Sequence, residues 1–232
     1  MPWGMFFDKT YILIILGMLI SFAASIYLKS TYHKYGQMAN RRGITGAQFA
    51  KLMLNNENMN DVDVVAISGE LSDNYLHTTK TLSLSRTTYS QATIGAIGVA
   101  GHEVGHAMQH NKNYMPFNAR KWLVPVANFG ANASWPIILL GILFGYNQTL
   151  LNIGILLFSL TFLFQVVTLP VEFNASRRAL QSIKNLNVLD KDEFRASKKV
   201  LRAAALTYVA GATAIMLQLL RLIILFGGRD RD

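Results

Sequence analysis

The segment His102-Glu103-Val104-Gly105-His106 follows the HExxH pattern. On a helix, residues four positions apart lie on one face, so the two imidazoles can share a metal ion. Glu103 then lies beside the metal-bound water, where a carboxylate acts as general base. The alternative, a pair of surface histidines, is disfavoured because the surrounding segment is rich in glycine and alanine and nearly free of other charges. The motif therefore predicts zinc-dependent hydrolysis, with Glu103 as the catalytic residue.

A catalytic zinc ion takes three protein ligands and keeps its fourth position for water, so the motif predicts a third ligand elsewhere. The chain has no cysteine, so this ligand is a His, Asp or Glu. His110 is excluded because it lies about 12 Å beyond His102 along the helix axis. The metzincin spacing is absent too, since the chain has Lys112 and Gln109 where that class needs histidine and glycine.

Glu172 is the best remaining candidate for the third ligand. Apart from Glu103, it is the only acidic residue in the range 74–189. A carboxylate this close to an apolar run is costly unless it is paired, either with a metal or with Arg177 or Arg178. The metal is favoured, because pairing with an arginine leaves HExxH without its third ligand.

Four apolar runs predict a membrane protein. Of the 232 residues, 51% are hydrophobic and only 15% are charged, whereas soluble domains carry about 25% charged residues. A run of about 20 apolar residues is long enough to cross the hydrocarbon core as a helix. The predicted spans are residues 10–28, 124–145, 150–170 and 206–226.

Three details qualify these spans. Pro125 and Pro136 interrupt the second span and predict a kinked or interfacial segment there. Arg221 lies near the far end of the fourth span, where its side chain is expected to reach out to the membrane interface. The first run has the alternative of a cleaved signal peptide, which is disfavoured because its only preceding cation, Lys9, is balanced by Asp8.

The basic residues orient the chain in the membrane. The net charge is +9, but the cations flank the apolar runs, which favours a lipid bilayer as partner and argues against nucleic acid. Residues 29–122 carry ten Lys and Arg and residues 171–205 carry eight, against three at Lys9, Arg229 and Arg231. The positive-inside rule therefore predicts that both long hydrophilic segments are cytoplasmic and both termini outside.

The hydrophilic segments predict a small α+β region. Residues 45–55 are predicted to form a short amphipathic helix capped by Thr45, with Phe49, Leu52 and Met53 on one face. Residues 62–65 and 81–85 are typical of strands, the second at a sheet edge, where an extended substrate can add a strand. Ser90 is predicted to cap the helix that carries HExxH.

Together these patterns predict a mainly α membrane protein with about four transmembrane helices and a small cytoplasmic α+β zincin-like domain. The predicted parts are an N-terminal transmembrane anchor (1–28), a cytoplasmic zincin-like segment (29–122), a transmembrane hairpin (123–170), a cytoplasmic helix with the third zinc ligand (171–205), and a C-terminal transmembrane helix and tail (206–232).

Three segments carry a resemblance to a known family: HEVGHAMQH, the later LPVEFNASRRAL and the earlier GELSDNYLHTTKTLSLS. The chain resembles, over residues 43–209, the YugP-type neutral zinc metallopeptidase family of bacterial membranes, which is similar in pattern to HtpX-type membrane gluzincins. The resemblance implies a multi-pass protein of the bacterial plasma membrane that hydrolyses peptide or protein substrates at the cytoplasmic face. It also implies one Zn²⁺ held by His102, His106 and Glu172, with Glu103 as general base.

Two roles remain open within this resemblance. Gluzincins have a carboxylate four residues after the ligand Glu to orient the first histidine, but this position holds Ser176 here, so Ser176 and Asn174 are the candidates for that role. Gluzincins also add a second donor to the oxyanion, for which Arg177, Arg178 and Tyr208 are candidates.

Two rival functions fit the sequence less well. A site-2-type intramembrane protease takes an Asp ligand from a later span, and no Asp occurs in the range 74–189. A non-catalytic membrane zinc-binding or scaffold protein would keep both histidines but gives no reason for Glu103. The sequence carries no signal for an oligomeric state or a membrane adaptor, and His77 is expected to be a surface histidine in a turn.

Overall fold

The computed structural model describes residues 8–69 and 72–227. These residues are mainly helical and include one small sheet, as predicted. The elements in chain order are α1 (Tyr11–Thr31), a π-helical turn (Tyr32–Gly36), α2 (Gly46–Asn56), β1 (Asp63–Ile67), β2 (Asn74–Leu76), β3 (Thr81–Ser85), α3 (Arg86–Ser90), α4 (Ile94–Asn111), α5 (Met115–Leu143), α6 (Gln148–Asn185) and α7 (Lys191–Phe226).

Four of the described helices are long and apolar enough to cross a membrane: α1 with its π-helical turn, α5, α6 and α7. Their number agrees with the prediction, but the helices are longer than the predicted spans. α6 continues through Pro170, so the third apolar run and the segment carrying Glu172 form one helix. α5 is also a continuous helix through Pro125 and Pro136, and the kinked or interfacial character of this segment stays a prediction. Membrane helices tolerate proline where neighbouring helices and local adjustments satisfy the freed backbone groups.

The chain forms two compact units. The helical unit comprises the described parts of Met1–Ala24, Ala119–Leu169 and Thr207–Asp232. The mixed unit comprises the described parts of Ser25–Asn118 and Pro170–Leu206. The division of the chain by membrane side stays a prediction.

Close helix contacts hold the helical unit together. A Cβ atom on Gly130 of α5 would lie 2.5 Å from the carbonyl oxygen of Leu157 on α6. One on Gly17 of α1 would lie 3.1 Å from the Cα of Ala214 on α7. Such contacts at small residues are typical of membrane helices, whose association depends on van der Waals packing.

Arg221 is buried within the helical unit, and its place at the membrane interface stays a prediction. It is only 8% exposed, and its Nη2 lies 3.4 Å from Oδ2 of Asp8. Its guanidinium carbon lies 4.3 Å from the centre of the Tyr11 ring. A buried cation needs such partners, and they come from the other end of the chain, where local sequence does not indicate them.

The sheet has the strand order β1-β3-β2. β3 runs parallel to β1, with Asp63 opposite Thr81, and antiparallel to β2, with Asn74 opposite Ser83. β3 is thus the central strand, and the prediction that it is a sheet edge available to a substrate is wrong. The strand that covers it, β2, has only three residues, too few for an alternating pattern to reveal it.

The short helix α2 agrees with its prediction at the cap and differs on one face. Thr45 caps it, and Gln48 completes a capping box. Phe49 and Met53 are fully buried in the core of the mixed unit, but Leu52, predicted on the same face, is 42% exposed.

The helix that carries HExxH begins later than predicted. Ser90 ends the short helix α3, which Ser85 caps. α4 is capped by Thr93, whose hydroxyl accepts a hydrogen bond from the backbone N–H of Ala96. The prediction of Ser90 as the cap is therefore wrong, because the chain extends between the two helices at Gln91.

Candidate active site

The helix α4 presents both histidines of the motif on one face. The ring centroids of His102 and His106 lie 4.7 Å apart, with the rings nearly perpendicular. Their side chains are mostly buried but keep some access to solvent, being 16% and 12% exposed. This is the placement that the spacing predicted.

Glu172 of α6 faces the two histidines. Its Oε2 lies 3.1 Å from Nε2 of His102 and 3.6 Å from Nε2 of His106. The competing prediction paired it with an arginine, but Arg177 is exposed and Nε of Arg178 donates to Oδ1 of Asn174 at 2.7 Å. The structure thus brings the three predicted ligands together.

The three side chains fit a zinc ion by donor type and by spacing. Two imidazole nitrogens and one carboxylate oxygen are ligands that catalytic zinc takes, and these atoms all lie within 4.8 Å of one another in His102, His106 and Glu172. Ligands about 2.0–2.1 Å from a tetrahedral ion are separated by about 3.3 Å. The separations of Oε2 of Glu172 from the two histidine nitrogens, 3.1 and 3.6 Å, lie on either side of that value.

Two glycines let α4 and α6 approach closely enough to form this group. A Cβ atom on Gly105 would lie 2.6 Å from the carbonyl oxygen of Ala175. One on Gly101 would lie 2.8 Å from Cε1 of Phe49 and 3.3 Å from Cβ of Ala179. The glycines lower the intrinsic helix propensity of α4, and the close contact with α6 explains their presence.

Each histidine has a polar partner on its second ring nitrogen. Nδ1 of His102 lies 3.1 Å from Oγ of Ser176, one of the two predicted candidates for this contact. Nδ1 of His106 lies 3.0 Å from Oε1 of Gln109. Sequence reasoning missed Gln109, which entered only as the residue that breaks the metzincin spacing. A glutamine three residues after a ligand was the signal available in the sequence.

Glu103 lies in an environment that disfavours its charged form. Burial raises the pKa of Glu103 above its ordinary value, although the nearby charges of His106 and His102 act in the opposite direction. A raised pKa makes a carboxylate a better proton acceptor at neutral pH and a group able to return the proton. This environment suits a general base.

The pKa of His106 is also perturbed. Burial opposes its charged form, but the nearby carboxylates of Glu172 and Glu103 outweigh this effect, so the pKa of His106 is raised. Metal binding requires the neutral ring, so the metal and the proton compete for this site.

Three other predicted residues are not in the ligand group. His110 is not part of the ligand group, as predicted, and its Nδ1 lies 3.0 Å from the hydroxyl of Tyr75. His77 lies in the turn after β2, but its ring is partly buried and packs 5.8 Å from that of His110. Tyr208 belongs to the helical unit.

The comparisons with known proteins agree with the site. A family described as "Putative neutral zinc metallopeptidase" matches residues 10–227. The chain belongs to this family. It is also 41% identical over 214 residues, covering 92% of this chain and 95% of the relative, to "Putative membrane protease YugP" of Bacillus subtilis (strain 168). No solved structure matches it.

Membership of the family indicates which metal the ligand group is suited to hold. A zinc metallopeptidase family implies zinc as cofactor, and among the described residues His102, His106 and Glu172 are the group with the donors to hold it. The similarity to a membrane protease agrees with the four apolar helices.

Proposed function

We propose that the protein is an integral membrane zinc metalloendopeptidase of the gluzincin type. The observation that carries the proposal is the convergence of His102, His106 and Glu172 beside the adjacent carboxylate of Glu103. Zinc-assisted hydrolysis of a peptide bond needs three protein ligands for the metal and a base beside it.

Glu103 carries the proton transfers of the proposed reaction. When bound, zinc polarises the scissile carbonyl and lowers the pKa of a water molecule. Glu103 takes a proton from this water and passes it to the amine that leaves. His102, His106 and Glu172 hold the metal. Among the oxyanion candidates, Arg178 is engaged by Asn174, which leaves Arg177 as the proposed donor within the mixed unit.

The strand available to an extended substrate is β2 rather than β3. β2 is an outer strand of the described sheet, and its Tyr75 hydrogen-bonds His110 on the helix that carries the motif. Leu76 of the same strand is 47% exposed. A substrate that adds a strand here would run beside α4.

The proposed location is the bacterial plasma membrane, with the active site on the cytoplasmic face. The support is the excess of Lys and Arg in residues 29–122 and 171–205. Membrane proteins or misfolded proteins reaching that face are the proposed substrates, and no nucleic-acid partner is proposed.

Metal removal tests the proposed activity. Purified protein in detergent is expected to hold about one zinc per chain, and to cleave casein. A chelator should abolish cleavage, and added zinc should restore it. The control is His106→Ala, which should hold little zinc and stay inactive when zinc is added. Cleavage that survives complete zinc removal would contradict the proposal.

Cysteine labelling tests the orientation. The natural chain has no cysteine, so a single introduced cysteine reports its own side of the membrane. Asn147→Cys is expected to react with an impermeant reagent from outside, whereas Ser90→Cys and Lys191→Cys are expected to react only after the membrane is opened. Labelling of Lys191→Cys in intact cells would reverse the proposed orientation.

A further inference from the structure

Gln109 is a fully buried glutamine that uses both ends of its amide. It is 0% exposed and lies on α4, three residues after His106. Its Oε1 lies 3.0 Å from Nδ1 of His106. Its Nε2 donates to the carbonyl oxygen of Val171 at 2.7 Å and to Oδ1 of Asn174 at 3.1 Å. A buried amide is costly unless it is hydrogen-bonded in this way.

The partners of Gln109 leave one orientation for its amide. The backbone carbonyl of Val171 only accepts hydrogen bonds, so the amide nitrogen must face it. Asn174 agrees with this, because its Oδ1 also accepts from Nε of Arg178 at 2.7 Å and therefore faces both donors. The oxygen of the Gln109 amide is thereby turned towards His106.

This orientation selects one tautomer of His106. An amide oxygen only accepts, so Nδ1 of His106 must carry the proton. Nε2 then bears the lone pair and faces Oε2 of Glu172 at 3.6 Å. His102 differs, because the hydroxyl of Ser176 on its Nδ1 both donates and accepts and so selects no tautomer.

We propose that Gln109 is a positioning residue that fixes the ring and tautomer of His106, and that Val171 and the Asn174–Arg178 pair fix Gln109 in turn. The inference rests on the proposed function, because it takes His106 as a zinc ligand. It assigns a role to Gln109 and turns Arg178 from an oxyanion candidate into the far end of a hydrogen-bonded chain that ends at the metal ligand.

The first test is the zinc affinity of a variant that keeps the shape of Gln109 without its hydrogen bonds. Loss of a group that orients a ligand typically lowers metal affinity by about 10- to 100-fold. Gln109→Met in the full chain is expected to raise the zinc dissociation constant by that factor, measured by chelator competition. Gln181→Met is the matched control, because Gln181 is exposed on α6 and its loss should leave the constant unchanged.

Two substitutions of Asn174 separate a positioning role of the hydrogen bonds from a general effect of packing. Asn174→Asp keeps an acceptor oxygen for both Gln109 and Arg178 and is expected to stay near wild-type affinity. Asn174→Leu removes that acceptor and is expected to weaken zinc binding. Equal zinc affinity in both Asn174 variants would overturn the inference. A zinc dissociation constant of Gln109→Met within about twofold of the wild-type value would overturn it too, because the loss of a group that orients a ligand has a much larger expected effect.

The second test needs no variant to fold. Nitrogen NMR of zinc-loaded wild-type protein with labelled histidines should show His106 bound through Nε2 and protonated at Nδ1, and coordination through Nδ1 would overturn the inference. The two levels of failure are distinguishable. A wild-type protein that binds no zinc defeats the proposed function, whereas a zinc-binding protein whose affinity ignores Gln109 defeats this inference alone.

Discussion

Glu103→Gln is expected to keep the zinc and to lose peptide cleavage by about 10²- to 10⁴-fold, the usual contribution of general acid–base catalysis. The substitution preserves the shape of the side chain but removes the proton acceptor. Glu103 does not belong to the ligand group, so the variant should still bind zinc. Zinc content and the cleavage rate of one unfolded substrate are measured on the same preparation.

The control for this prediction is Ser176→Ala. Ser176 contacts Nδ1 of His102, and loss of such an orienting group typically costs about 10- to 100-fold in metal affinity or activity. The two variants should therefore lose different properties. Ser176→Ala should bind zinc more weakly, whereas Glu103→Gln should lose only cleavage. Undiminished cleavage by Glu103→Gln at full zinc occupancy would defeat the peptidase mechanism, and a zinc-loaded wild type with no cleavage would favour the scaffold function.

Gly105→Ala is expected to disrupt the metal site without changing any ligand. The new Cβ would lie 2.6 Å from the carbonyl oxygen of Ala175 and 3.0 Å from its Cα. Backbone cannot yield as a flexible side chain does, so α4 must shift away from α6, which carries Glu172. Overpacking of this kind costs about 1–3 kcal/mol or more. We expect a lower unfolding temperature and zinc content well below that of wild type.

Two variants serve as comparisons for Gly105→Ala. A Cβ atom on Gly211 would meet no neighbouring element within 4 Å, so Gly211→Ala should leave zinc binding intact and favour the helix by about 1 kcal/mol. Glu172→Ala removes a ligand while the helices can stay in place. This variant should therefore lose zinc, and it should lower the unfolding temperature of the metal-free protein less than Gly105→Ala does. Normal zinc content in Gly105→Ala would show that the close contact does not position the ligands.

The residues of the candidate site could be predicted from the sequence because their selection depends on short-range spacing and on composition. His102 and His106 lie one helical turn apart, so any helix at this position brings their rings together. Glu172 was found because acidic residues are scarce around it in the chain. The four apolar helices were found for a similar reason, since a continuous run of apolar residues is a local property.

The contacts that only the tertiary structure decided join residues far apart in the chain. β3 looked like an edge strand, but the three-residue strand β2 covers it, and a strand so short leaves no periodic signal. The partner of Arg221 could not be predicted from the sequence, because Asp8 lies 213 residues away.

Gln109 shows the same limit at the site itself. Its role depends on Val171 and Asn174, which α6 supplies from 62 and 65 residues away. The types and local spacing of residues therefore determined which side chains could bind zinc and move a proton. The packing of α4 against α6 at Gly105 decided which polar atoms face those side chains. Such contacts depend on the path of the backbone in space and not on residues that are neighbours in the sequence.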